Sequence, residues 1–374
     1  MASMFNDYTT IEDENATHMS PNTSFMEEYT SYTTTESTYV LKKEDFLEYQ
    51  ISLKIKLYSL PVILLIGVPG NVISFAVLVF SNLRRSTTSL YLAVISVLDT
   101  IVLATGVFWY LSSEMPHLRV INDVSCRLVN VVFYVSIHYN VLLVVAVTVE
   151  RFIVVVFPLK AQLWISMRRT VVVIVCCGVF SFGLNLCHVF IRTVRISRAT
   201  GKPYCGSTGG QTTIFFLYRI YPWIDSIMYC ILPMTSLFVL NMVMLRHMKK
   251  VIRSRQSMQC LHAKENQSSQ SSQRQMTTML LLVSFSFLIL TGPIGTFLVV
   301  RRNAWTPKMP KEKAIMDLLS SVINNMAYTN HAINFVFYCF SGQRFRNELR
   351  RMCTRLVAKS RKPNLQRDIT VISK

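Results

Sequence analysis

Charge is scarce in this chain. Only 16% of its 374 residues are Asp, Glu, Lys or Arg, while 51% are hydrophobic. A soluble protein of this length folds as one or two domains under a more charged surface. Acid is scarcer than base, and 20 Asp and Glu against 39 Lys and Arg leave a formal net charge of +19. Nucleic-acid binding is nevertheless excluded as the reading. No zinc spacing, P-loop or aromatic RNA-binding motif is present, and the basic residues sit beside the ends of apolar runs. No basic-then-apolar leader opens the chain, so the first apolar run would direct insertion itself. Internal repeats are missing. The His residues form no metal-ligand set and no nucleophile–base motif is visible, which argues against an enzyme. The repeated halves typical of many transporters are also missing, which argues against a transporter, although measured solute flux would revive that reading.

What the chain has is length of apolar sequence. Runs of about 20 apolar residues match the roughly 30 Å hydrocarbon core of a bilayer. Seven such segments are expected near 55–80, 89–112, 124–157, 169–191, 219–246, 275–300 and 314–340. The seventh is diluted by Asn324, Asn325, Asn330, His331 and Asn334, so it should face the bundle interior. The expected fold is therefore an all-α membrane protein, a seven-transmembrane helix bundle at 55–340. Residues 1–54 precede it as a polar, disordered extracellular tail, because a stretch with so few apolar residues cannot bury a core. Up to Val40 that tail contains acidic residues but no Lys or Arg, and it carries glycosylation sequons at Asn15 and Asn22. Tyr29, beside Glu27 and Glu28, is a sulfation candidate. Basic residues then place Arg84 and Arg85, the 246–274 loop and the C-terminal tail inside. Arg192, Arg195, Arg301 and Arg302 stay outside against that rule. The localisation expected is the plasma membrane, multi-pass, with the N-terminus outside.

Several spaced residues then carry a family pattern. Glu150, Arg151 and Phe152 close the third run, followed by Pro158 and Leu159. Asn71 follows Gly70 in the first run, Asp99 lies in the second, and Pro233 and Pro293 interrupt the fifth and sixth. Asn334 and Tyr338 end the seventh before Phe345 and Arg346. Together these resemble the rhodopsin-like G-protein-coupled receptors, over residues 55 to about 355.

The resemblance implies roles. Glu150 and Arg151 would restrain the resting state, and Arg151, Phe152 and Leu159 would meet a heterotrimeric G protein. A snorkelling Arg beside the membrane is the plainer alternative. Cys126 and Cys205 would form a disulfide pinning the loop between spans four and five, in an oxidising exterior that permits it. Asn71, Asp99, Asn140, Asn330 and Asn334 would form a polar network, which in the family often holds a sodium ion. No other cofactor is implied. Here His331 replaces the usual small hydroxyl and would crowd or replace that ion. Pro293 would give span six the kink that lets it swing. Residues 341–353 would form a short amphipathic eighth helix, with Phe345, Leu349 and Met352 on the inner leaflet and Cys353 as a palmitoylation candidate. Residues 354–374 would be a cytoplasmic tail. Arrestin, a receptor kinase and membrane lipids are the remaining implied partners.

Departures narrow the family. Phe335 replaces the seventh-span proline, Thr291 the sixth-span tryptophan, and Asn241 the fifth-span tyrosine. Leu232-Pro233 with Leu240-Asn241, Thr291-Gly292-Pro293, and Ile333-Asn334-Phe335 with Tyr338-Cys339 resemble the invertebrate FMRFamide-receptor-like neuropeptide receptors. Phe133 stands where amine receptors carry an Asp, and Tyr328 where opsins carry the retinal lysine. An extracellular peptide is thus the ligand class implied, with a chemosensory receptor for small molecules or lipids as the alternative. The candidate pocket is Trp109, Phe133, Tyr134, Ile137, His138, Tyr221, Ile294, Phe297 and Tyr328.

Overall fold

The computed structural model describes residues 41–114, 121–196, 201, 203–258, 267–303, 307 and 309–372. The sequons at Asn15 and Asn22, Tyr29 and most of the expected N-terminal tail lie outside the described residues.

The first three spans are Leu47–Phe80, Thr87–Glu114 and Asp123–Val156. Asn122 caps the third. Its side-chain oxygen accepts from the Ser125 amide at 2.8 Å, and Ser125 Oγ accepts from the Asn122 amide at 2.9 Å. Such a reciprocal cap satisfies two amides that the helix start leaves unpaired. Phe157 breaks the helix, and Pro158 opens a short one, Pro158–Trp164, where its missing N–H is not needed. The fourth span is Met167–Asn185, continued after a break by Cys187–Ile191.

The chain then leaves the bundle as a hairpin. Strands β1 (Arg192–Ile196) and β2 (Pro203–Ser207) pair antiparallel, with Val194 opposite Cys205. The fifth span re-enters at Gln211. It alternates α segments (Gln211–Phe215, Tyr221–Asp225) with π-helical segments (Phe216–Ile220, Ser226–Ile231) before a long α-helix, Leu232–Met258. Span six is Gln267–Asn303, with Pro293 inside it. Span seven is Pro310–Ala332 continued by Asn334–Ser341, and the last helix is Gln343–Ile372.

Six of the described helices are long and apolar enough to cross a membrane. Span seven is the exception, and its polarity is met from inside. Ser321 shares a hydrogen bond with Ser52 at 2.9 Å, Asn325 accepts from Ser59 at 2.5 Å, and the His331 carbonyl accepts from Asn71 at 2.9 Å. A ladder of three bonds thus joins spans one and seven. The two helices also meet closely at Gly67, where a Cβ would stand 2.7 Å from Ala332 Cβ. Span three is the axis, touching spans two, four and five, and one buried apolar cluster runs through the bundle.

Boundaries differ from expectation at both ends. The first helix starts at Leu47 and not at 55. Its first turns pack on span seven through Ser52, and Lys43, in a short turn before it, pairs with Asp317 at 3.1 Å. The eighth helix starts at Gln343 and continues to Ile372, through what was expected as tail. Its apolar face meets the bundle. Phe345 is buried, and Leu349 and Met352 pack against the bundle core. The Phe345 ring lies 5.6 Å from that of Tyr338 and 6.2 Å from that of Phe335.

Candidate functional site

Three polar constellations lie along span three, one at each level of the bundle. At the outer end, Cys126 and Cys205 form a disulfide with Cα atoms 5.6 Å apart. It fixes β2 to the start of span three. Asp123 fixes β1 to the same turn, accepting from Thr193 Oγ1 and from the Val194 amide, each at 2.8 Å. The hairpin therefore lies across the outer mouth of the bundle, with Trp109 buried beside the disulfide. Arg192, itself buried, donates to the Cys205 carbonyl at 3.4 Å.

Below the hairpin is a cluster that the sequence reading met only in part. His138 Nε2 lies 3.2 Å from Asp225 Oδ1, an ion-pair distance without the alignment of a hydrogen bond. His138 Nδ1 lies 2.9 Å from the Tyr134 carbonyl and 3.1 Å from the Asn185 amide nitrogen. Tyr221 donates to Asn185 Oδ1 at 2.6 Å. The Tyr134 ring stacks on His188 at 4.4 Å and meets Tyr221 edge-on at 5.5 Å. All six residues are buried. Spans three, four and five are thus joined by one polar and aromatic knot.

Tyr134, His138 and Tyr221 were candidates from sequence, whereas Asp225, Asn185 and His188 were missed. A signal existed for Asp225, because a lone carboxylate inside an apolar run requires a partner. The nine candidate pocket residues fall in three buried apolar clusters, with His138 in the polar knot. Phe133, Tyr134, Ile137, Tyr221, Ile294 and Tyr328 belong to the main core, Trp109 to the disulfide cluster, and Phe297 to a small cluster with Met316.

At mid-bundle, Asp99 accepts three hydrogen bonds. Asn140 Nδ2 and His331 Nδ1 each lie 2.7 Å from its Oδ1, and Asn334 Nδ2 lies 2.7 Å from its Oδ2. Asn71 joins indirectly through the His331 backbone. Asn330 is buried but is not a partner of Asp99, which corrects its place in the expected network. The helix breaks at Ile333 although Phe335 stands in place of proline, and this break turns the Asn334 amide back onto Asp99. A sodium ion does not fit this donor set. Hard cations are held by oxygen ligands, and here three N–H groups already occupy the carboxylate.

At the inner end, Glu150 and Arg151 are both buried. Arg151 donates to Thr88 Oγ1, and the same hydroxyl donates to Glu150 Oε1 at 3.5 Å. Thr87 also donates to Glu150, and Thr170 donates to its Oε2 at 3.3 Å. The motif is therefore held by hydroxyls from spans two and four, with Thr88 linking its two charges. The sequence offered no signal for these threonines beyond their place shortly after a pair of arginines, Thr87 and Thr88 after Arg84 and Arg85, Thr170 after Arg168 and Arg169. Phe152 is half-buried and meets Phe157 edge-on at 6.0 Å, while Leu159 on the short helix is 82% exposed. Tyr338 is buried, and Cys353 is exposed on the last helix.

A multi-pass helical bundle, with a disulfide-pinned cover on one face and a caged Glu–Arg pair on the other, defines a membrane receptor that signals across the bilayer. Residues 70–338 match the model of the seven-transmembrane receptors of the rhodopsin family, and the chain belongs to that family. It is a receptor and not an enzyme. Neuromedin-U receptor 2 of Rattus norvegicus is 26% identical over 325 residues, covering 83% of this chain and 80% of that one. The thyrotropin-releasing hormone receptor of Gallus gallus is 24% identical over 349 residues, 87% of this chain and 84% of the relative. The KiSS-1 receptor of Homo sapiens is 25% identical over 300 residues, 78% and 72%.

Proposed function

We propose that this chain is a plasma-membrane receptor for an extracellular peptide, which it converts into nucleotide exchange on a heterotrimeric G protein. The observation that carries the reading is the caged Arg151. A buried guanidinium is costly unless its partners stay in place, so any ligand that shifts spans three and two against each other releases it. Relatives that are peptide-hormone receptors support the ligand class. The finer likeness to FMRFamide-receptor-like receptors rests on the residues of spans five to seven.

The peptide enters under the hairpin β1–β2 and reads the pocket residues Trp109, Phe133, Tyr134, Ile137, His138, Tyr221, Ile294, Phe297 and Tyr328. It acts only by binding the active arrangement more tightly than the resting one. Span six moves about Pro293, Asn334 and Tyr338 repack, and Arg151, Phe152 and exposed Leu159 face the G protein. Arrestin and receptor kinases then act on the cytoplasmic face, Cys353 carries a palmitoyl group, and the N-terminal tail is extracellular and glycosylated at Asn15 and Asn22. The test is calcium release in cells expressing the chain with a promiscuous G protein, challenged with amidated neuropeptides. A saturable response is expected, lost in Arg151→Ala at equal surface expression. Normal signalling by that variant refutes the role of Arg151.

A further inference from the structure

We propose that the Asp99 site of this receptor takes no sodium ion, because His331 fills the cation's place with a fixed N–H donor. Asp99 is only 1% exposed, and both its oxygens are committed. Two of its partners could still make room. Asn140 and Asn334 each carry an amide that, turned end for end, presents an oxygen instead of a nitrogen. His331 has no such option. Its ring has no oxygen, and its Nδ1 lies 2.7 Å from Asp99 Oδ1, where a cation would have to sit.

Nor can the ring easily withdraw. Asn71 donates to the His331 carbonyl at 2.9 Å, and Ala332, the next residue, is wedged against Gly67. The backbone under His331 is therefore held on span one. The donation to Asp99 needs the Nδ1 proton, which the charged ring and the Nδ1–H neutral tautomer both carry. The consequence is a bundle whose midplane is closed by its own side chain and does not respond to external sodium.

The experiment is thermal unfolding of the purified full-length receptor in detergent, with NaCl, KCl or choline chloride at equal ionic strength. The wild-type Tm is expected to be the same in all three. His331→Ser and His331→Asn return space and an oxygen. They are expected to gain a sodium-specific rise of about 2–4 °C at ten times the dissociation constant. A sodium-specific rise in the wild type overturns the proposal. Folded variants that stay indifferent to sodium also overturn it, because His331 would then not be the excluding group. The wild-type comparison needs no variant, and His331→Asn stands in if His331→Ser does not fold.

Discussion

Replacing Asp225 with Ala is expected to destabilise the bundle by about 3 kcal/mol. Breaking a buried ion pair by removing one partner costs about 3–5 kcal/mol, since the remaining group is left uncompensated. Solvent screening does not reduce this here, because the His138 and Asp225 side chains are only 2% and 7% exposed. The poor alignment of the pair places it at the lower end of that range. For a chain of this size about 1 kcal/mol shifts Tm by roughly 2 °C, so a fall of about 6 °C is expected. The measurement is thermal unfolding of the purified receptor in detergent, with the double variant His138→Phe/Asp225→Leu alongside. Apolar replacement of both partners removes the uncompensated group, so the double variant should recover most of the loss. A single-variant fall below about 2 °C refutes the reasoning. So does a double variant that loses as much as Asp225→Ala or more, since apolar replacement of both partners then recovers nothing.

Two further outcomes test the ends of span three. Thr88→Val removes the hydroxyl that links Glu150 to Arg151, and a hydrogen bond to a charged group is worth about 1.5–3 kcal/mol. Basal nucleotide exchange without ligand is expected to rise about tenfold, which corresponds to about 1.4 kcal/mol. Unchanged basal exchange at equal expression would show that Thr88 does not restrain Arg151. Cys205→Ser opens a loop closed over a sequence separation of 79 residues. The chain-entropy model gives about 4.5 kcal/mol for a loop of that length. A clear fall in Tm and in surface expression is expected, and a change no larger than that of an exposed substitution would refute it.

The six apolar spans were legible because the bilayer imposes a length and a composition that sequence states directly. Span seven was legible as a weaker apolar run with a family motif at its end, since Ser321 and Asn325 turn polar groups to span one and His331 turns its ring to Asp99 on span two. The start of the first helix was not legible. Residues up to 54 read as tail from their polarity, whereas the helix begins at Leu47 and its Ser52 packs on Ser321. The Asp99 network was readable from its residues, including the warning carried by His331, but Asn330 and Asn71 could not be sorted without geometry. The His138–Asp225 knot was hidden for another reason. Its members come from three spans, and no local spacing links them. The inner threonines were hidden likewise, because a hydroxyl matters only by what it faces.

The two π-helical segments of span five have a consequence for how this receptor changes over generations. Each closes its hydrogen bonds one residue later than an α-helix does, so it stores one residue more than an unbroken helix needs. A helix turns about 100° per residue. Deleting a single residue within 226–231 would therefore leave a regular, membrane-long helix with Tyr221 and Asp225 facing much as before, whereas the same deletion in a regular helix would turn one half against the other by that full step. Most length changes in a transmembrane helix wreck it. This span has slack: it can lose one residue while its two halves keep their facing, a tolerance that a regular helix such as span three lacks.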